Sequence, residues 1–236
     1  MKKTVLLAVL GVITIACIFY GSMRHMNVFD KNGFKDFTWT INDDDISETG
    51  ENDLDVDLEA FDSIKIDCKI GHIIIEEGSS FRLKSSYSKE YLKPIYSVEN
   101  KSLRISQKSH RGATGNNNCS IIITVPSGLA FNSIDIDSNV GDIYINNLTG
   151  KEIDADLNVG EIRFHEVNFD KIDIDNNVGE VSVSLADKAE NYSMNLATDV
   201  GVVFVAGKSF KRNYNSNGSG GKKLNINTNV GEVTVK

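Results

Sequence analysis

The residues of this chain that could do chemistry are carboxylates, and they recur. Asp135 and Asp137, Asp154 and Asp156, and Asp173 and Asp175 form three Asp-x-Asp pairs spaced 19 residues apart. Two carboxylates can act as the acid and base of glycoside hydrolysis. A set of them also supplies the oxygen ligands that Ca²⁺ takes. A catalytic pair is singular, whereas this one repeats at fixed phase, so the expectation is an architectural feature and no enzymatic activity. Nucleophile patterns such as G-x-S-x-G do not occur. The three cysteines (Cys17, Cys68, Cys119) and four histidines (His25, His72, His110, His165) have no metal-ligand spacing. No cofactor is expected. The six aspartates are the candidate metal ligands, and a solvated acidic face is the competing reading.

What must position these residues is a repeat. SIDIDSNVGDIYI, EIDADLNVGEIRF, KIDIDNNVGEVSV, SMNLATDVGVVFV and KLNINTNVGEVTV carry Gly141, Gly160, Gly179, Gly201 and Gly231, and a degenerate copy, SIKIDCKIGHIII, carries Gly71. Apolar and polar residues alternate on both sides of each glycine, which is the pattern of two half-buried strands joined at a corner. The predicted fold class is all-β: a single-domain β-solenoid, a β-helix-like stack of coils about 19–22 residues long. Expected inward columns are Ile134/Ile153/Ile172/Met194/Leu224, Ile136/Ala155/Ile174/Leu196/Ile226 and Val140/Val159/Val178/Val200/Val230. The aspartates then share one outward face at the strand spacing of about 4.8 Å, where like charges repel by about 1 kcal/mol per pair. Asn beside the glycine can stack above its copies. Cys68 shares the inward parity of Ile64 and Ile66 and reads as a buried thiol. The chain ends on Val233-Thr234-Val235-Lys236, so stacking in sequence order predicts an open last coil.

Outside the repeats the chain divides as follows. Residues 1–26 hold a 20-residue uncharged run between Lys3 and Arg24, long enough for a transmembrane helix across about 30 Å of hydrocarbon. Lys2 and Lys3 place the N-terminus in the cytoplasm and the rest of the chain outside. The alternative is a lipoprotein anchored at Cys17. Residues 27–60 read as an acidic stalk with one short strand, FTWTI. Residues 61–236 form the β-domain, with irregular strands over 61–130, a loop at 110–118 and regular units over 131–236. A net charge of −8 without a broad basic face excludes nucleic acid as the main partner. The expected partners are the membrane and a cell-wall polymer or envelope protein.

One basic segment interrupts this acidity. GKSFKRNYNSNGSGGKK, residues 207–223, carries Lys208, Lys211 and Arg212 with Phe210 and Tyr214. In the unit before it, outward positions that are polar in the other copies become Val202 and Phe204. This corner is the candidate binding surface, and a fold-back of the insertion over Val202 and Phe204 is the competing reading.

The succession YSVEN-KSLRI, then IIITVPSGLAFNSIDI, then repeated NVG units resembles the bacterial putative-adhesin domain family, DUF4097-like, over residues 61–236. That resemblance implies a β-strand-repeat protein of the kind that includes envelope-stress membrane proteins. It brings no catalytic residues with it.

Overall fold

The structure is a computed structural model and describes residues 52–108 and 117–236. The expected membrane span, Cys17, the FTWTI strand and most of the 110–118 loop lie outside the described residues. Among the described residues the only helical segments are single 3-10 turns at Glu90–Leu92 and Ala189–Asn191, and no helix is long and apolar enough to cross a membrane.

Each repeat is a strand that bends at its glycine and continues. β2 (Ser63–Gly78), β7 (Ala130–Asn146) and β8 (Thr149–Val178) pass through such corners unbroken. Later units are split at the corner: β8 is followed by β9 (Val181–Leu185), β10 (Tyr192–Val200) by β11 (Val203–Val205), and β14 (Lys222–Val230) by β15 (Val233–Val235). The limbs before the glycines form a first face. β4 (Ile95–Glu99) and β5 (Ser102–Ser106) lead it, β2, β7, β8, β14 and β10 follow, and β13 (Asn213–Ser216) ends it. The limbs after the glycines form a second face. It begins with β1 (Asn52–Asp57), β3 (Arg82–Tyr87) and β6 (Cys119–Pro126), continues through β2, β7, β8, β9, β15 and β11, and ends with β12 (Lys208–Phe210). Repeat limbs pair parallel, as do β5 and β6 with β2, whereas the outer strands β1, β3, β4, β12 and β13 are added antiparallel.

The inward side chains of both faces join in one core cluster. The first two expected columns are buried as predicted, from Ile134 and Ile136 through Leu224 and Ile226, none more than 4% exposed. The third column is not. Val140, Val159 and Val200 are 47%, 38% and 55% exposed. The corner resets the parity of the strand, so the inward position lies three residues before the glycine. Ser138, Leu157, Asn176, Thr228 and Thr198 occupy it, with Cys68 in the first unit, all buried. Asn176 Nδ2 and Thr198 Oγ1 there donate to the carbonyls of Gly160 and Gly231 on adjoining rungs, at 3.1 and 3.0 Å.

The corner itself admits only glycine. Gly160 has φ of +144°, and a Cβ on it would lie 1.5 Å from the Gly141 carbonyl oxygen. Beside it the asparagines stack as expected. Asn158 donates to Asn139 at 2.8 Å, Asn177 to Asn158 at 2.6 Å, and Asn229 to Asn177 at 2.7 Å.

That last bond exposes the main departure from a sequentially wound solenoid. The fifth repeat does not follow the fourth in space. β14 pairs with β8 on one side and β10 on the other, and β15 lies between β9 and β11. The chain therefore builds its last rung, caps it, and returns to fill the slot behind. The expectation that Val233–Val235 forms an open end is overturned, because both edges of β15 are paired. Lys222 secures the re-entry: its Nζ reaches Asp187 Oδ2 at 2.7 Å and lies 5.3 Å from the Tyr192 ring centroid.

Both ends are closed by dedicated elements. Residues 52–57, assigned by composition to the acidic stalk, form β1 on the edge of the second face. At the same end the first corner lacks a preceding rung, and buried Gln107 stands in for it. Its Oε1 accepts from the backbone N–H of Lys69 and Ile70 (2.9 and 3.1 Å), and its Nε2 donates to the carbonyls of Ile70 and Leu92 (2.8 and 3.1 Å).

Candidate functional site

The six aspartates do share one face. Asp135 stands beside Asp154 and Asp137 beside Asp156, and Asn225 and Asn227 flank Asp173 and Asp175 on the far side. Burial, with Asp173 and Asp135 beside it, pushes the Asp154 carboxyl above its ordinary range. Burial and four neighbouring aspartates act likewise on Asp156. Burial also pushes Asp173 upward, but hydrogen bonds from Lys171 and Asn225 outweigh it and hold that carboxyl below its usual value. Lys65 pairs with Asp135, Lys171 bridges Glu152 and Asp173, and Asn227 donates to Asp175 at 3.0 Å. Asp135, Asp173 and Asp175 thus find partners within the chain, whereas Asp154 and Asp156 stand among like charges. Among the described residues no group of three or more His, Cys, Asp or Glu side chains is arranged to hold a metal ion.

Cys68 and Cys119 are both free and buried. Burial pushes the Cys68 thiol up to about 12 and the Cys119 thiol to about 11, far from thiolate chemistry at neutral pH.

The second face carries a polar cluster that the sequence reading did not single out. His72 Nδ1 lies 3.1 Å from Asp142 Oδ2, and the backbone N–H of Glu161 donates to Asp142 Oδ1 at 3.0 Å. Arg163 Nε donates to Glu161 at 2.6 Å. Tyr144 is flanked by the His72 ring at 4.9 Å and the Arg163 guanidinium at 5.8 Å. Burial raises the Glu161 and Glu180 carboxyls, with Arg163 opposing the shift in each. His72 and Asp142 are 70 residues apart in the chain. Only the rung register brings them together, so no local motif could have announced them.

The basic insertion neither covers Val202 and Phe204 nor leaves the stack. It adds one strand to each face. β12 pairs with β11, setting Phe210 opposite Val203, and β13 pairs with β10, setting Tyr214 opposite Leu196. The Phe210 and Tyr214 rings meet at 4.7 Å and close the core from the end. These two residues are therefore structural caps. Val202 remains 37% exposed, Phe204 is half-buried with Ser209 opposite it, and Lys208, Lys211 and Arg212 are exposed in the segment that follows.

An all-β stack of in-register parallel rungs with antiparallel ends defines a class of repeat β-domain. Over residues 124–236 the chain matches the model of the family described as Toastrack DUF4097. Its fold is similar to that of a putative cell adhesion protein from Clostridium sporogenes, with a TM-score of 0.61 and 22% identity over 79% of this chain and 99% of that one. A putative adhesin from Bacteroides fragilis aligns over 80% of this chain and 98% of that one, at 13% identity and a TM-score of 0.41. No curated protein matches the chain.

Proposed function

We propose that this protein is a non-catalytic interaction module of the bacterial cell envelope, adhesin-like or associated with envelope stress, held at the membrane by residues 1–26 with its β-domain outside the cell. The observation that carries the reading is the C-terminal end of the stack. There the segment that follows Val202 and Phe204 carries Lys208, Lys211 and Arg212, all exposed, on a molecule whose net charge is −8. Fixed cations next to exposed apolar surface suit an anionic envelope polymer or protein. The repetition of the carboxylate pairs on three consecutive rungs supports a scaffold over a catalyst.

The test is capture of an anionic wall polymer by the full chain in detergent. Phe204→Ser combined with Lys211→Ser and Arg212→Ser should lose capture while the thermal unfolding midpoint stays within a few degrees. Capture that survives all three substitutions in a folded protein refutes this surface. A second reading, end-to-end assembly as a structural envelope protein, draws support from the opposite charge of the two end strands: β1 carries Asp53, Asp55 and Asp57, and β12 carries Lys208 with Lys211 and Arg212 following. Sedimentation that stays monomeric at high concentration and low salt would count against it.

A further inference from the structure

Of the four strands that end the two faces, β4 is unlike the others. Edge strands are ordinarily blunted by shortness or charge. β12 and β13 have three and four residues, and β1 carries three aspartates. β4 is Ile-Tyr-Ser-Val-Glu and pairs with β5 alone among the described strands. It exposes Ile95 at 49% and Tyr96 at 37%. It is also held firmly, because the β4–β5 hairpin closes through Asn100 and Lys101 at φ of 51° and 60°, a two-residue turn whose twist matches the strands.

The register beneath this edge sets a recognition element. Ser97 stands opposite Arg104, and Arg104 beside Lys65 on β2. A groove of about 320 Å³ opens there, lined among others by Ile95, Tyr96, Arg104 and Ser106. Lys65 is neutralised by Asp135, and Asp67 by Lys69. Arg104 is exposed and has no carboxylate partner among the described residues. The small Ser97 side chain is all that separates its strand from the open edge.

We infer that β4 binds an extended peptide with a carboxylate at its centre, which adds to the first face as a further strand. Backbone hydrogen bonds to the free edge supply affinity, and side chains at alternate positions supply selectivity. The ligand residue facing Ser97 is Asp or Glu, because Arg104 can reach across Ser97 to a carboxylate. Residues facing Ile95, Tyr96 and Val98 are apolar, and the one facing Glu99 is basic. A second copy of β4 fits poorly: antiparallel pairing centred on Ser97 sets Glu99 against Ile95, and parallel pairing in register sets Glu99 against itself. This surface lies at the opposite end of the stack from the basic corner and stands independently of the function proposed above.

The test uses the full chain in detergent micelles and the fluorescein-labelled peptide TTVVEVKTT, read by fluorescence anisotropy. Binding should be saturable and at least tenfold weaker for TTVVKVKTT. Arg104→Glu, at an exposed position, should reverse that preference. Two further peptides, N-methylated at alternate residues, probe the backbone. One should bind as before and the other at least tenfold more weakly, since N–H groups along a strand point alternately to its two edges. Indifference to both methylation patterns, or equal binding of the glutamate peptide by the native and Arg104→Glu proteins, overturns the proposal. Self-association of the chain that Ile95→Lys abolishes would assign the edge to a second copy and overturn it as well.

Discussion

Truncating the chain after Gly221 removes β14 and β15, which stand between β8 and β9 on one side and β10 and β11 on the other. Leu224, Ile226, Val233 and Val235 are at most 1% exposed in the intact protein. At about 1.5–3 kcal/mol for each buried side chain, their loss forfeits about 6–12 kcal/mol. The truncation also leaves two rows of backbone groups facing an empty slot. Since whole domains are stable by only about 5–15 kcal/mol, the truncated protein should be unfolded or lose its C-terminal end. Urea denaturation followed by far-ultraviolet circular dichroism, with full-length and truncated chains in the same detergent, measures the effect. A synthetic peptide of residues 222–236 added in trans should recover part of the lost signal. An unchanged midpoint and slope after truncation would refute the interior placement and restore the view of the last repeat as a dispensable end.

Three further outcomes are expected. Gly160→Ala should destabilise the domain by at least about 3 kcal/mol in urea titrations, because its Cβ meets a backbone carbonyl at a positive φ. Gln107→Leu should cost about 2–4 kcal/mol by the same assay, because three backbone groups at the first corner lose their partner. Asp154, Asp156, Glu161 and Glu180 have carboxyls raised above their ordinary values, so the folded state binds protons more tightly than the unfolded state between the two values. Stability should therefore rise as the pH falls toward the ordinary carboxylate range, and fall again at lower pH, where the lowered carboxyls, Asp142 and Asp173 among them, take up protons. The thermal midpoint checks this. Asp154→Asn with Asp156→Asn should flatten the rise, and a midpoint that falls steadily from neutral pH to the ordinary carboxylate range would refute it.

The alternation within each unit is written into the residues themselves. Ile134, Ile136, Ile143 and Ile145 could face one way only, and a strand has a period of two. For the same reason the aspartates on the opposite parity had to share a surface, and the glycine after each Asn-Val or Asp-Val had to be a corner. The orientation of Val140 and its copies was not legible, because parity holds along a strand and fails where the corner inserts an odd step.

The order of the rungs is a matter of tertiary structure. Five near-identical corners can stack in many sequences, and local propensity is equal for all of them. What distinguishes the native order is long-range complementarity. With the fifth repeat placed beside the third, Asn225 and Asn227 donate to Asp173 and Asp175, and Asn229 continues the amide ladder from Asn177. Stacking in chain order would set Asn195 and Ala197 against those aspartates and Asp199 against Asn177. Asp175 would then lose its amide partner, and the ladder would meet a group with no N–H to donate. The residues of each rung determined that rungs would form. Which rung stands beside which was decided by the side chains that meet only after the chain has folded back on itself.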